Sequence, residues 1–382
     1  MTFWTRIPFQ RQKPTASSVL PAVSGCAASK GKFKSPAECS YDVLRIYVPL
    51  TVHEANASGT DVQAQLDTGS PVCLVHKEFW TPKGKPVDDH EYGAIYFDGY
   101  TVHFRYYKAS VVLGGVEISD VNVARVDSYE PAAYGPINIL GFGFTADQAT
   151  HPKPFILLKA FPPDVNKVFA LWFGQNQAVV RTEFGYIHTK GLFSVGSPLT
   201  ACYLPCTYVK VKVYPVILPT LKRLSWGAKG VITFRVKLQN GSEAVMRTEQ
   251  VKQHFDTGCA STRLPANIGN EVQQLIRESL GDPEFNLSGI QHIDMAMQDH
   301  LPTIEFEHGE RVFKLLPTDY LPEITPGKFQ WYGLRAQKDK ALTHATVGNA
   351  FFVKFYTEFH FDPKEPQLAF AEKTTECDPN AE

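Results

Sequence analysis

The chain has almost no net charge, no long apolar run and no cluster of metal-ligating side chains, and each lack removes a class of function. With 38 basic and 39 acidic residues among 382, the formal charge is −1, which leaves no electrostatic footprint for nucleic acid or for an anionic membrane. No stretch approaches the roughly eighteen consecutive apolar residues of a membrane span, so a soluble chain is expected. The 12 histidines are scattered without the helical spacing of a zinc-protease pair, and neither a Gly-x-Ser-x-Gly elbow nor a Gly-rich phosphate loop occurs. Cys202 and Cys206 have no second close Cys or His pair beside them, so zinc is not expected. No cofactor is called for.

Cysteine usage leaves the compartment open. The chain has seven cysteines, an odd number, so at least one thiol is free unless it pairs with another chain. Cys202 and Cys206 either bridge locally or both remain free, Cys73 has no nearby partner, and only Cys377 follows Cys259. That is thin support for an oxidising compartment. The run from Ser18 to Ser29 is broken by Pro21 and Gly25 and makes a poor signal-peptide core. The sequons at Asn56, Asn240 and Asn286 permit secretion without establishing it.

What the chain does have is a repeat. Asp67-Thr68-Gly69 and Asp256-Thr257-Gly258 lie 189 residues apart (256 − 67). Each is followed by a second signal, two further residues and a glycine: Ile139-Leu140-Gly141 and Thr346-Val347-Gly348. One copy of the tripeptide reads equally well as an ordinary loop turn; the duplicated set reads as two related halves, each donating one carboxylate. Such a pair has a chemistry. Hydrolysis of a peptide bond without a metal or covalent nucleophile needs a carboxylate to activate water and a carboxylic acid to protonate the carbonyl at the same pH. Two aspartates held close supply both, because like charges at short range cannot both ionise and the pair shares a proton. Glycine after the threonine is expected to give the loop a tight turn at positive φ, and the threonine hydroxyl to bond across to the other half.

Five ordered matches covering most of residues 42 to 373 make the chain resemble the pepsin family of bilobal aspartic endopeptidases. Leu66 to Ser70 and Phe255 to Gly258 are similar to its two active-site loops. Tyr96-Phe97-Asp98-Gly99-Tyr100, followed by Gly114-Gly115-Val116, is similar to its flap hairpin, with Tyr96 at the flap tyrosine and Asp98 and Gly99 beside it. Leu301 to Phe306 with Gly309, Phe313 to Leu315 and Tyr320 resembles a strand pair of the second lobe, and Gly348 to Phe352 with Phe355, Tyr356 and Phe359 to Asp362 the closing segment.

The resemblance implies a mostly β, bilobal fold of two related six-stranded-type barrels with short helices and a central cleft. Composition agrees: the length suits two lobes, and β-branched and aromatic runs recur at Val62 to Leu66, Ser110 to Leu113, Tyr208 to Val213, Val231 to Leu238 and Phe351 to Phe361. Apolar residues at Ile268, Val272, Leu275, Ile276 and Leu280, with Pro265 before and Gly281 after, predict one clear helix. The expected division is a tail over 1–41, lobes over 42–190 and 191–373, and a tail over 374–382. The first tail carries Arg6, Arg11, Lys13, Lys30, Lys32 and Lys34 and no acid before Glu38; it reads as a disordered tail or, by the resemblance, as a pro-segment lying over the cleft. Family habit points to a secretory or vacuolar route.

Several positions depart from the family pattern. Cys259 stands where Thr or Ser normally hydrogen-bonds the second aspartate; a thiol is a weak donor, so a raised apparent pKa of the dyad and a higher pH optimum are expected, the alternative being that Cys259 is only a small packed residue. Ser70 keeps the equivalent donor on the first loop. Leu74 replaces a tryptophan that tethers the flap tyrosine, Phe97 and Asn138 replace glycines, and Asn349 replaces an aspartate. His254 is expected to face away from the cleft or to pack structurally. The expected function is an aspartic endopeptidase that uses no cofactor, acts at acidic pH on a polypeptide held in the interlobe cleft, prefers apolar residues at the cut, and is a monomer. The alternative is a silent homologue that binds a protein or peptide without cutting it.

Overall fold

Strict alternation builds the first half. In Arg45–His53 the side chains of Ile46, Val48, Leu50 and Val52 are buried while their neighbours are not, and Thr60–Asp67 buries Val62, Ala64 and Leu66 opposite them; each such side chain contributes about 1.5–3 kcal/mol. The computed structural model describes residues 37–377 apart from 43–44, 55–57, 96–100, 114–115, 131–137, 144–166, 175–188, 215–224, 289–290, 322, 326–327, 332, 338–341 and 363–364. Arg45–His53, Thr60–Asp67, Ile139–Gly141, Leu74–His76, Val116–Glu130 and Thr101–Leu113 pair in that order, and the last returns to the first through Thr51 opposite Val112. A closed six-stranded ring results. Register shifts at His103/Phe104 and Ala109/Val111 bend its longest strand pair, as closure requires.

The second half forms a separate sheet ordered Arg311–Leu315, Thr303–His308, Gly227–Lys237, Val251–Phe255, Ala345–Val347, Thr262–Leu264 and Leu334–Ala336, with no ring-closing pair among the described residues. Between the halves, Val209–Lys212, Gln367–Glu372, Phe355–His360, Val168–Phe173, Thr189–Val195 and Ala37–Asp42 extend the first sheet in that order, so strands from both halves of the chain share one sheet. Aromatic rings fill the space beneath: Phe169 stacks on Phe359 with centroids 4.4 Å apart, and Trp226 meets both edge-on.

The predicted helix is present as Ala266–Leu280, burying Gly269, Val272, Ile276 and Ser279 along one stripe and ending at Gly281, whose φ of 65° is the left-handed cap that glycine favours. Three expectations need correction. Phe351 to Lys354 is not strand: Asn349–Lys354 is a short helix with Asn349, Ala350, Phe351 and Phe352 all buried, and the strand starts at Phe355. Aromatic β-propensity yields there to packing on every side. Residues 37–41 are not tail but part of a strand, antiparallel to Thr189–Val195. Cys202 bonds neither Cys206 nor nothing; it forms a disulfide with Cys377, 175 residues away. Thr374 N–H also donates to Cys202 O, and Leu204 N–H to Glu372 O, so the start of the expected C-terminal tail is fixed to the 200–207 segment. Cys73, Cys206 and Cys259 are not in disulfides, and Cys206 alone of these is exposed.

One buried carboxylate in the shared sheet makes stability depend on pH. Glu358 accepts from Tyr356 Oη at 2.7 Å and from Tyr208 Oη at 2.8 Å, and His360 Nε2 lies 2.6 Å from it. Burial works to raise its pKa, but the bonds from His360, Tyr356 and Tyr208 outweigh burial and hold it below the ordinary 4.5. A depressed folded-state value adds stability above the ordinary pKa and loses it as pH falls through the folded one. The melting temperature is therefore expected to fall as the solution is acidified below 4.5. Glu358→Gln should flatten that fall and cost about 1–3 kcal/mol near neutral pH; full stability of the variant near neutral pH would refute this account.

Candidate active site

Both Asp-Thr-Gly loops emerge from the same three-strand setting. Asp67 ends Thr60–Asp67 opposite Gly141 in a parallel pair, and Asp256 follows Val251–Phe255, parallel to Ala345–Val347. In each half a third strand crosses antiparallel, through Leu74 opposite Ile139 and Arg263 opposite Thr346, again offset by 189 (263 − 74). The second signals are glycine because the returning loop lies on them. A Cβ on Gly141 would sit 2.6 Å from Ser70 O and 2.5 Å from Val72 O, and one on Gly348 2.8 Å from Cys259 O and 2.5 Å from Ser261 O.

The threonines lock the two loops together. Thr68 N–H donates to Thr257 Oγ1 and Thr257 N–H to Thr68 Oγ1, each at 3.0 Å. Thr68 Oγ1 donates to Phe255 O and Thr257 Oγ1 to Leu66 O, each at 2.9 Å. Exchanging the halves leaves this set unchanged, as the repeat implies. Both threonines are fully buried, so losing either hydroxyl strands donors and acceptors that water does not reach.

The reason for Gly69 and Gly258 differs from the one expected. The described glycines at positive φ are Gly196, Gly241, Gly281 and Gly309, so neither loop glycine serves a left-handed turn. Each makes room for the other half's aspartate: a Cβ on Gly69 would lie 2.8 Å from the Asp256 carboxylate, and one on Gly258 2.5 Å from that of Asp67. Close approach, not turn geometry, demands glycine here.

Asp67 Oδ1 accepts from the N–H groups of Gly69 at 2.8 Å and Ser70 at 2.9 Å, and Asp256 Oδ1 accepts from Gly258 N–H at 2.8 Å. Burial pushes Asp67 well above the ordinary carboxylate range; the charge of Asp256 pushes it the same way, and the two carboxyls are within hydrogen-bonding reach of each other. The two amide bonds oppose this and are outweighed. The arrangement brings two carboxyls from different chain halves within reach of each other, the setting in which like charges cannot both ionise. Among the described residues no group of three or more His, Cys, Asp or Glu side chains is placed to hold a metal ion, and no described helix is long and apolar enough to cross a membrane.

The Ser70 hydroxyl and the Cys259 thiol each have a backbone partner of their own. Ser70 reaches Asp67 through its amide, while its hydroxyl accepts from Val72 N–H at 3.4 Å. The Cys259 thiol, buried, donates to Ser261 O at 3.1 Å. Asn138 Oδ1 accepts from His76 N–H at 2.9 Å and its Nδ2 donates to Gln63 O at 3.2 Å, so the carboxamide bridges two strands of the ring. Leu74 packs with Val72, Tyr92, Phe104 and Tyr106 at the base of the hairpin arms. Those arms pair antiparallel up to Ile95 opposite Thr101; residues 96–100, with Tyr96, Asp98 and Gly99, lie outside the described residues.

One neighbour of the dyad is absent from the sequence reading. Gln65 Nε2 donates across to Gly258 O at 3.0 Å. It stands two residues before Asp67, and side chains two apart on a strand share a face, a signal that was open to use. The matched position is His254 (254 − 65 = 189). His254 is fully buried, edge-on to His344 with ring centroids 6.1 Å apart; burial lowers its pKa and the nearby charge of Asp256 works against that.

No family model and no curated protein sequence matches the chain. Among solved structures it is similar to the crystal structure of an aspartic proteinase from Irpex lacteus, with a TM-score of 0.67 over 91% of this chain and 98% of that one, at 14% identity. The fold is pepsin-like. In this pepsin-like fold the two Asp-Thr-Gly loops meet across the axis that relates the halves.

Proposed function

We propose that the chain is an aspartic endopeptidase that hydrolyses peptide bonds through a water held between Asp67 and Asp256. The observation that carries this reading is the reciprocal bracing of two buried carboxyls, each seated against the other half's glycine, with Asp67 held well above the ordinary carboxylate range by burial and by Asp256. One carboxyl takes a proton from the water as the other protonates the carbonyl of the bond to be cut, and the roles reverse when the amine leaves. Thr68 and Thr257 brace the loops, Gly69 and Gly258 admit the opposing aspartates, and Ser70 orients Asp67. On this reading lobes over 42–190 and 191–373 each contribute one carboxylate, and the polypeptide lies in the groove between them. Tyr96, with Asp98 and Gly99, closes over it and excludes water. Apolar residues flank the cut, and acidic pH favours activity. Both carboxylates come from one chain, so a monomer is complete.

The test is digestion of a denatured protein across about pH 3 to 7, with and without a statine inhibitor. Cleavage blocked by the inhibitor is expected. An intact substrate together with tight inhibitor binding would overturn the enzyme and leave a peptide-binding homologue. A finer prediction concerns Cys259. Threonine at this position offers a stronger donor beside Asp256, favouring the ionised dyad, so Cys259→Thr should move the acid limb of the pH–rate profile downward. An unmoved profile would reduce Cys259 to a packing residue.

A further inference from the structure

A closed circuit of hydrogen bonds runs through both catalytic loops, and one side chain from outside them completes it. Asp67 C=O accepts from Phe142 N–H at 2.8 Å. Phe142 C=O accepts from the indole Nε1–H of Trp226 at 2.8 Å. Trp226 C=O accepts from Phe255 N–H at 2.7 Å. Phe255 C=O accepts from Thr68 Oγ1 at 2.9 Å, and Thr68 is covalently joined to Asp67. Phe142, Trp226, Phe255 and Thr68 are all fully buried, so no member has water as an alternative partner.

The Phe142–Gly143 segment cradles the first catalytic loop at both ends, since Gly143 N–H also donates to Ser70 C=O at 2.8 Å. Trp226 grips that cradle from the other half, immediately before Gly227–Lys237 and one hydrogen bond from the residue preceding Asp256. Its ring is fixed edge-on against the stacked pair of Phe169, 5.7 Å away, and Phe359, 5.2 Å away, and an indole N–H can only donate. The tie is one-sided. Tyr47 faces Gln65 and Gly227 faces His254 in the matched strand pairs, so the counterpart of Trp226 in the first half is Ile46, a buried aliphatic with no side-chain donor.

We propose that Trp226 is a positioning residue for the dyad, its indole N–H setting the distance between the Asp67 and Asp256 loops. The inference rests on the endopeptidase reading, and its role is separable from packing. Replacing Trp226 with benzothienylalanine keeps the bicyclic shape and removes only the N–H; Trp226→Phe removes it with some loss of volume. Loss of this bond orphans the Phe142 carbonyl and relaxes the cradle. In both variants kcat should fall about tenfold with KM within about twofold, since a buried hydrogen bond is worth about one factor of ten, and the pH–kcat profile should shift. The benzothienyl variant should melt somewhat below the wild type, as one orphaned buried carbonyl requires, and remain folded at the assay temperature. A wild-type kcat and pH profile in that variant would overturn the proposal and leave Trp226 as packing alone. Wild-type cleavage lost in Asp67→Asn secures the underlying reading independently. If the wild type does not cleave, that reading fails by itself, and the circuit is judged by statine affinity, which needs the geometry but no turnover: about tenfold weaker binding in the benzothienyl variant supports the tie, and unchanged binding refutes it.

Discussion

Asp67→Asn and Asp256→Asn are each expected to lower kcat on a polypeptide substrate by about four orders of magnitude, the upper range for general acid–base catalysis, without unfolding the protein. Asparagine keeps the oxygen that accepts from Gly69 and Ser70, so the loop bonds survive; it loses the ability to exchange a proton with its partner. Stability should go the other way from activity. Asp67 is raised above the ordinary 3.8 by burial and by Asp256, and an acid whose folded-state pKa is raised weakens folding once pH climbs above its unfolded value. Asp67→Asn should therefore melt no lower than the wild type near neutral pH. A variant that loses activity only because it unfolds would not support the dyad, and one that retains substantial kcat would remove it.

The next largest effect is expected from Gly258→Ala. Its Cβ would lie 2.5 Å from the Asp67 carboxyl, nearer than atoms in contact approach, so one of the two loops must move. Displacement of reacting groups on this scale costs about a hundredfold in rate. We expect at least that loss in kcat, with statine binding weakened in parallel, while the fold persists because none of the four threonine bonds involves Gly258. Gly69→Ala, with its Cβ 2.8 Å from Asp256, should behave alike. Wild-type kcat in Gly258→Ala would show that the glycines are not spacers for the opposing aspartates.

How much of this was legible beforehand follows a physical divide. Local chemistry with a repeat was readable: two Asp-Thr-Gly tripeptides, the glycines after them, the cross-bonding threonines and the amphipathic helix Ala266–Leu280 all carry short-range patterns. The constraint on Gly69 and Gly258 differs from the expected one because it comes from residues 187 (256 − 69) and 191 (258 − 67) positions away, and no local rule distinguishes a glycine kept for φ from one kept for space. The disulfide between Cys202 and Cys377 was out of reach for the same reason, since spacing does not encode connectivity. Phe351 to Lys354 misled because phenylalanine and valine favour strands until packing around the whole segment overrides that preference. Trp226 gave no signal: one indole among five tryptophans declares its partner only when Phe142 is brought to it. Residues two before each aspartate, Gln65 and His254, were within reach of strand periodicity.

The measurement that bears most directly on the central claim is a carboxyl carbon NMR titration of the aspartates in the wild type and in Asp256→Asn. Asp67 should titrate well above an ordinary aspartate in the wild type and drop toward the ordinary range when Asp256 is neutralised, though not fully, because burial remains. A resonance of Asp67 that titrates at the same pH in both proteins would show that the two carboxyls do not share a proton, and the proposed mechanism would fail with it.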